Sequence, residues 1–170
     1  GKIAKIGDLK EAQADKFLDA GGKMVSPGFI DLHAHVYYGD ELSVHPDTVG
    51  PFVGATTIVD GGTAGAMNYK GLYEHVIKSC KTRVMALINI SCAGERLSWH
   101  PSLFGGLTVG ESEDIRLLDP KAAAEIAKRS EVVGVKARVG RLTSGGNGIE
   151  VTYTAKMAAR TAGVPLVLHI

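Results

Sequence analysis

The chain has 170 residues, enough for one domain with a buried core. Nineteen Lys and Arg against eighteen Asp and Glu leave a formal charge of +1, which gives no support for nucleic acid or an anionic membrane as partner. The two cysteines, Cys80 and Cys92, lack CxxC spacing and a disulfide-rich context, so a reducing, cytoplasmic setting is expected; no export signal and no apolar run near ~18 residues is legible.

The first 26 residues, ending "GGKMVS", alternate weakly in the manner of antiparallel strands, with turns at Gly7-Asp8 and Gly21-Gly22. They read as a fragment of a small β domain (1–26), with a boundary at Ser26-Pro27 and a second unit over 27–170. Five short segments rich in β-branched and apolar residues follow: "FIDLHAHV" (29–36), "TTIVDGG" (56–62), "RVMALINIS" (83–91), "VVGVKARV" (132–139) and "PLVLHI" (165–170). Near-continuous apolar strands point to a parallel sheet covered on both faces.

Helical stretches lie between most of these strands. "AMNYKGLYEHVIKSCK" (66–81) is amphipathic, with Leu72, Val76 and Ile77 on one side. "LDPKAAAEIAKRS" offers Asp119 as N-cap and Pro120 at the first helical position. "YTAKMAARTAG" ends at Gly163, a C-cap residue, with Pro165 close behind. Repeated βαβ units leave two economical architectures, a doubly wound sheet and a (β/α)8 barrel. The longest irregular stretch, about 92–117, follows the third strand, where a loop of that length usually carries function or is mobile.

His33 and His35 alternate to one face of the first strand, about 6 to 7 Å apart along it. Two imidazoles so spaced can share a metal ion. They sit at the strand's carboxyl end, where a parallel barrel builds its site. Lys136 lies inside the fourth predicted strand among Val133, Val135 and Val139, and His169 is the penultimate residue of the fifth.

"VSPGFIDLHAH" resembles the first-strand signature PGxIDxHxH of the amidohydrolase superfamily. The resemblance implies an α/β fold: part of a (β/α)8 TIM-like barrel, strands one to five, preceded by a piece of a small β-sandwich. It implies one or two divalent ions at the barrel mouth, zinc ahead of manganese or iron. They would be held by His33 and His35, by Lys136 carrying a carbamate, and by His169. The family's further histidine on strand six and aspartate on strand eight have no counterpart before Ile170, so both chain ends read as cut and the chain is not expected to be a self-sufficient enzyme. "GATTIVDGGTAG" and "ALINISCAG" resemble the second- and third-strand regions of dihydroorotase-like members. "GVKARV", "NGIE" and "AGVPLVLHI" look most like a branch of dihydroorotase or deacetylase type.

The activity so implied is hydrolysis of an amide, cyclic ones included, or an ester by a metal-activated hydroxide, with a small-molecule substrate. Homo-oligomerisation stays open. Two rival readings are a catalytically inactive scaffold of the same fold and a mononuclear-metal deaminase. The joint presence of the HxH pair, Lys136 and His169 argues against the scaffold, and a deaminase has no need of Lys136. Lys136 and Arg138 are the catalytic candidates. Arg138 shares the parity of Lys136 and is a candidate fork for a substrate carboxylate, a structural ion pair being an equal reading. Tyr37, Ser91 and His100 are candidate substrate contacts, Asp31 is a candidate support deeper on the face of the two histidines, and Asp60 and Thr63, at the end of the second strand, are candidate pocket-lining residues. His45, His75 and His100 have no partner at ligand spacing in the sequence.

Overall fold

The structure, a computed structural model, describes residues 2–39, 42–97 and 110–170. His100 and Trp99 lie outside the described residues. Five parallel strands form one sheet in sequence order: β1 (Phe29–Ala34), β2 (Ala55–Asp60), β3 (Arg83–Asn89), β4 (Val132–Arg138) and β5 (Leu166–His169). The sheet curls into part of a barrel wall, so the barrel is the architecture adopted rather than the doubly wound sheet. Each strand lies within the span predicted for it, to within a residue or two at its ends.

Helices fill the connections. α1 (Pro46–Val53) joins β1 to β2, and α2 (Tyr69–Leu72) widens into a π turn over Tyr73–Ile77 before β3. α3 (Pro120–Ala127) precedes β4; α4 (Arg141–Ser144) and α5 (Gly148–Ala162) lead to β5. Asp119 caps α3 as the sequence predicts, its carboxylate accepting from the Ala122 amide at 2.9 Å. Gly163 ends α5 with φ +72°, a left-handed position that glycine occupies without strain. The predicted single helix over 66–81 is instead broken into two geometries. Its apolar side survives: Leu72 and Val76 are buried and Ile77 packs against the core, the wider turn being marked by the Lys78 amide bonding back to the Tyr73 carbonyl.

The core lies between the sheet and these helices. Ile58, Val84, Ala86, Ile88, Val135 and Ala137 of the strands share one buried cluster with Ala123, Ala124, Ala127, Val151, Ala155, Ala158 and Ala159 of α3 and α5. Alanines on α3 and α5 let both helices settle close to the strands. With Val135 and Ala137 on the helix side, alternation sends Lys136 and Arg138 to the opposite face, the barrel interior. Among the described residues of 2–26 there is no strand. A turn occurs at Gly21-Gly22, where the Lys23 amide donates to the Ala20 carbonyl at 2.9 Å. Edge strands β1 and β5 leave Phe29, Ile30, Leu32 and Leu168 exposed.

Candidate metal centre

Register carries the predicted ligands to one place. Lys136 of β4 pairs with Asn89 of β3, and Arg138 pairs with His169 of β5. His33 and His35 come off the carboxyl end of β1, their ring centroids 5.5 Å apart, and the His169 ring lies 6.3 Å from that of His33. Lys136 Nζ stands 3.4 Å from His33 Nε2. The four predicted ligands therefore gather at the carboxyl ends of three strands.

Two glycines make this approach feasible. A Cβ on Gly61 would come within 2.6 Å of the His33 ring and 3.0 Å of the His35 ring. A Cβ on Gly62 would lie 2.6 Å from Lys136 Cγ, and Gly62 also has φ +95°. The Gly61-Gly62 pair that follows β2 is thus a floor without side chains, against which two histidines and the lysine pack.

The electrostatics favour neutral donors at three of the four groups. Burial, reinforced by Arg138 against the opposing pull of Glu95, lowers the Lys136 pKa; the side chain is 1% exposed. His33 is lowered by burial and then by Lys136, His169 by burial and then by Arg138. A neutral amine can take up carbon dioxide, and neutral imidazoles can bind a cation. The donor set fits divalent transition ions. His35 behaves oppositely: burial works against its charge, but the hydrogen bond and charge of Glu95 outweigh it, and the pKa is raised. Its Nδ1 lies 2.9 Å from Glu95 Oε2 and 2.8 Å from Thr63 Oγ1.

Glu95 and Glu111 were not singled out in the sequence. Arg138 is 8% exposed; its Nη1 donates to a Glu95 oxygen and, at 3.2 Å, to Glu111 Oε2. Asn89 Nδ2 donates to the other Glu111 oxygen at 3.0 Å and to the Gly62 carbonyl at 3.1 Å. Both acids lie inside the irregular stretch after β3, where no local pattern marks them out. Of the two readings of Arg138, the geometry realises the ion pair.

The remaining candidates divide. Thr63 reaches the cluster through His35. Asp60 shares the parity of Ile58 and is fully buried, accepting from the amides of Val36 (2.9 Å), Gly62 (3.1 Å) and Thr63 (2.8 Å) and from the Thr63 hydroxyl (2.9 Å). It shapes the loop beneath the histidines instead of lining a pocket, and burial raises its pKa. Asp31 accepts from the His33 amide at 3.0 Å and so sets the backbone between the two residues. Ser91 is fully buried at the end of β3. Tyr37 packs on α2, its hydroxyl in the space a Gly71 side chain would need.

No family model matches the chain. A deacetylase of Agrobacterium fabrum is 34% identical over 174 residues, and one of Brucella anthropi 32% over 174; each alignment covers 100% of this chain and 41% of the relative. The chain thus spans about two fifths of the length of these curated relatives. Among solved structures, a dihydroorotase superposes with TM-score 0.74 at 29% identity, over 85% of this chain and 44% of that one. An adenine deaminase superposes with TM-score 0.71 at 31% identity, over 84% and 37%.

Proposed function

Since the chain belongs to the amidohydrolase superfamily, we propose that the protein is a metal-dependent hydrolase that cleaves an amide or ester bond of a small molecule, of deacetylase or dihydroorotase type. The observation that carries this reading is Lys136: a fully buried lysine, its amine biased to neutrality, 3.4 Å from a histidine of an HxH pair and resting on Gly62. Such a lysine has little structural value as an ammonium, because burying an unpaired charge is costly. As a carbamate it becomes an anionic oxygen donor.

In this reading His33, His35, His169 and carbamylated Lys136 hold one or two divalent ions, zinc first among the candidates. When bound, the ions lower the pKa of a water and polarise the substrate carbonyl. The chain's own residues prepare that site. Asp31 sets the His33 backbone, Thr63 and Glu95 orient the His35 ring through Nδ1, and the Gly61-Gly62 floor admits all three side chains. Arg138 holds Glu95 and Glu111 in place as a positioning residue, and it contacts substrate only if that pairing loosens. A cytoplasmic setting belongs to the same proposal; no helix among the described residues is long and apolar enough to cross a membrane.

The test is metal content by elemental mass spectrometry on the longest natural form of the protein, purified without chelator and supplied with bicarbonate. About two transition ions per chain are expected, falling at least tenfold, with loss of hydrolysis of acyl amides and esters, in Lys136→Ala. Retention of metal and activity by that variant would instead favour a mononuclear deaminase. A metal-free wild-type protein would leave the scaffold.

A further inference from the structure

A second group of ligand-type side chains lies apart in sequence from the strand-end cluster. One donor atom each of His45, Asp47 and Cys80 lies within 4.8 Å of the other two. His45 and Asp47 stand at the start of α1. Cys80 lies between the π turn and β3, so the three meet only in the fold.

Local hydrogen bonds engage two of them. His45 is the N-cap of α1, its Nδ1 accepting from the Asp47 amide at 3.2 Å. The Asp47 carboxylate accepts from the amides of Lys81 (3.0 Å) and Thr82 (2.7 Å). Cys80, partly buried against the hydrophobic core, takes no part in these bonds. Lone pairs remain on both Asp47 oxygens, since a carboxylate offers about four acceptor sites.

The surroundings hold the group in place. The Tyr38 ring lies against the His45 ring, centroids 4.7 Å apart, and its hydroxyl is anchored on the His75 carbonyl at 2.9 Å. The two backbone amides fix the Asp47 carboxylate beside the thiol. Around a tetrahedral zinc ion with bonds of about 2.0 to 2.3 Å, sulfur, nitrogen and oxygen donors stand about 3.3 to 3.8 Å apart, so closure from separations within 4.8 Å needs at most about 1.5 Å of side-chain adjustment.

We propose that His45, Asp47 and Cys80 form a transition-metal site, with a fourth position open to water, that clips the start of α1 to the turn entering β3. A mixed thiolate, imidazole and carboxylate set selects zinc or cobalt over magnesium or calcium. This site is independent of the proposed hydrolytic centre, whose donor set contains no thiolate.

Cobalt(II) separates the two. The longest natural form of the protein, stripped of metal, is titrated with cobalt and followed by near-ultraviolet absorption, where thiolate-to-cobalt charge transfer appears. The band is expected in the wild type and in Cys92→Ser, absent in Cys80→Ser, and about tenfold harder to saturate in His45→Asn, which keeps a capping acceptor on a shorter side chain. No band at excess cobalt, or a band surviving Cys80→Ser, overturns the proposal. Should Cys80→Ser fail to fold by circular dichroism, alkylation of Cys80 in the wild type decides. Zinc slows the reaction if the site exists, and an unchanged rate overturns it. Loss of the hydrolytic ions in Lys136→Ala leaves the band untouched.

Discussion

Glu95 accepts from His35 Nδ1 at 2.9 Å and pairs with Arg138 through its other oxygen, at 8% exposure. Removing its charge leaves a buried guanidinium beside the Glu111 carboxylate and frees the His35 ring to turn. Breaking a buried pair from one side costs about 3 to 5 kcal/mol, and the surviving Glu111 contact places Glu95→Gln at about 3 kcal/mol. Denaturant unfolding of the metal-free protein measures that loss. A change under ~1 kcal/mol would mean the Arg138 pairing carries no net stability. Glu95 was not visible in advance because a carboxylate in a long loop looks solvated until the loop is seen to fold back. His33, His35 and Lys136 were visible because their spacing or apolar setting is local.

Among the elements, the caps carry the sharpest expectations. Asp119 accepts from the Ala122 amide at 2.9 Å and opens an eight-residue helix whose buried side is alanine. Asp119→Ala is expected to cost about 1 kcal/mol, read as a lower denaturant midpoint with an unchanged slope. A fall in slope would show that α3 melts separately. The strands were legible from their apolar runs, and α3 and α5 from their caps. The Tyr69–Ile77 segment was legible only as an apolar stripe. Both an α-helix and a π turn put Leu72 and Val76 on the core side, so the stripe does not distinguish them.

Across the molecule, α3 and α5 close on β3 and β4 through small side chains. Ala155 is fully buried, with Ala123, Ala124, Ala127 and Ala158 each at 1% exposure. Ala155→Leu inserts volume where the helices have no room to part without exposing Val135 and Ala137. The expected destabilisation is about 2 kcal/mol, within the range for overpacked cores. Thermal unfolding measures it, and an unchanged melting temperature would show that the α5–sheet contact is loose. Alanine abundance in the sequence suggested helix; that those alanines set the distance between layers is a property of the packed whole.

The sequence by itself determined the parallel kind of the strands and their places along the chain, the capped helix ends, and the shared face of His33 and His35. Each follows from backbone stereochemistry and a period of two or 3.6 residues, acting over a few neighbours. Tertiary structure decided the rest. It committed Arg138 to Glu95 and Glu111, sealed Ser91, turned Tyr37 onto Gly71, placed Gly61 and Gly62 beneath the ligands, and brought Cys80 to His45 and Asp47. These outcomes depend on which segments far apart in the chain come to lie against one another. No local period records that, and close packing with satisfied polar groups selects it only once the whole sheet is assembled.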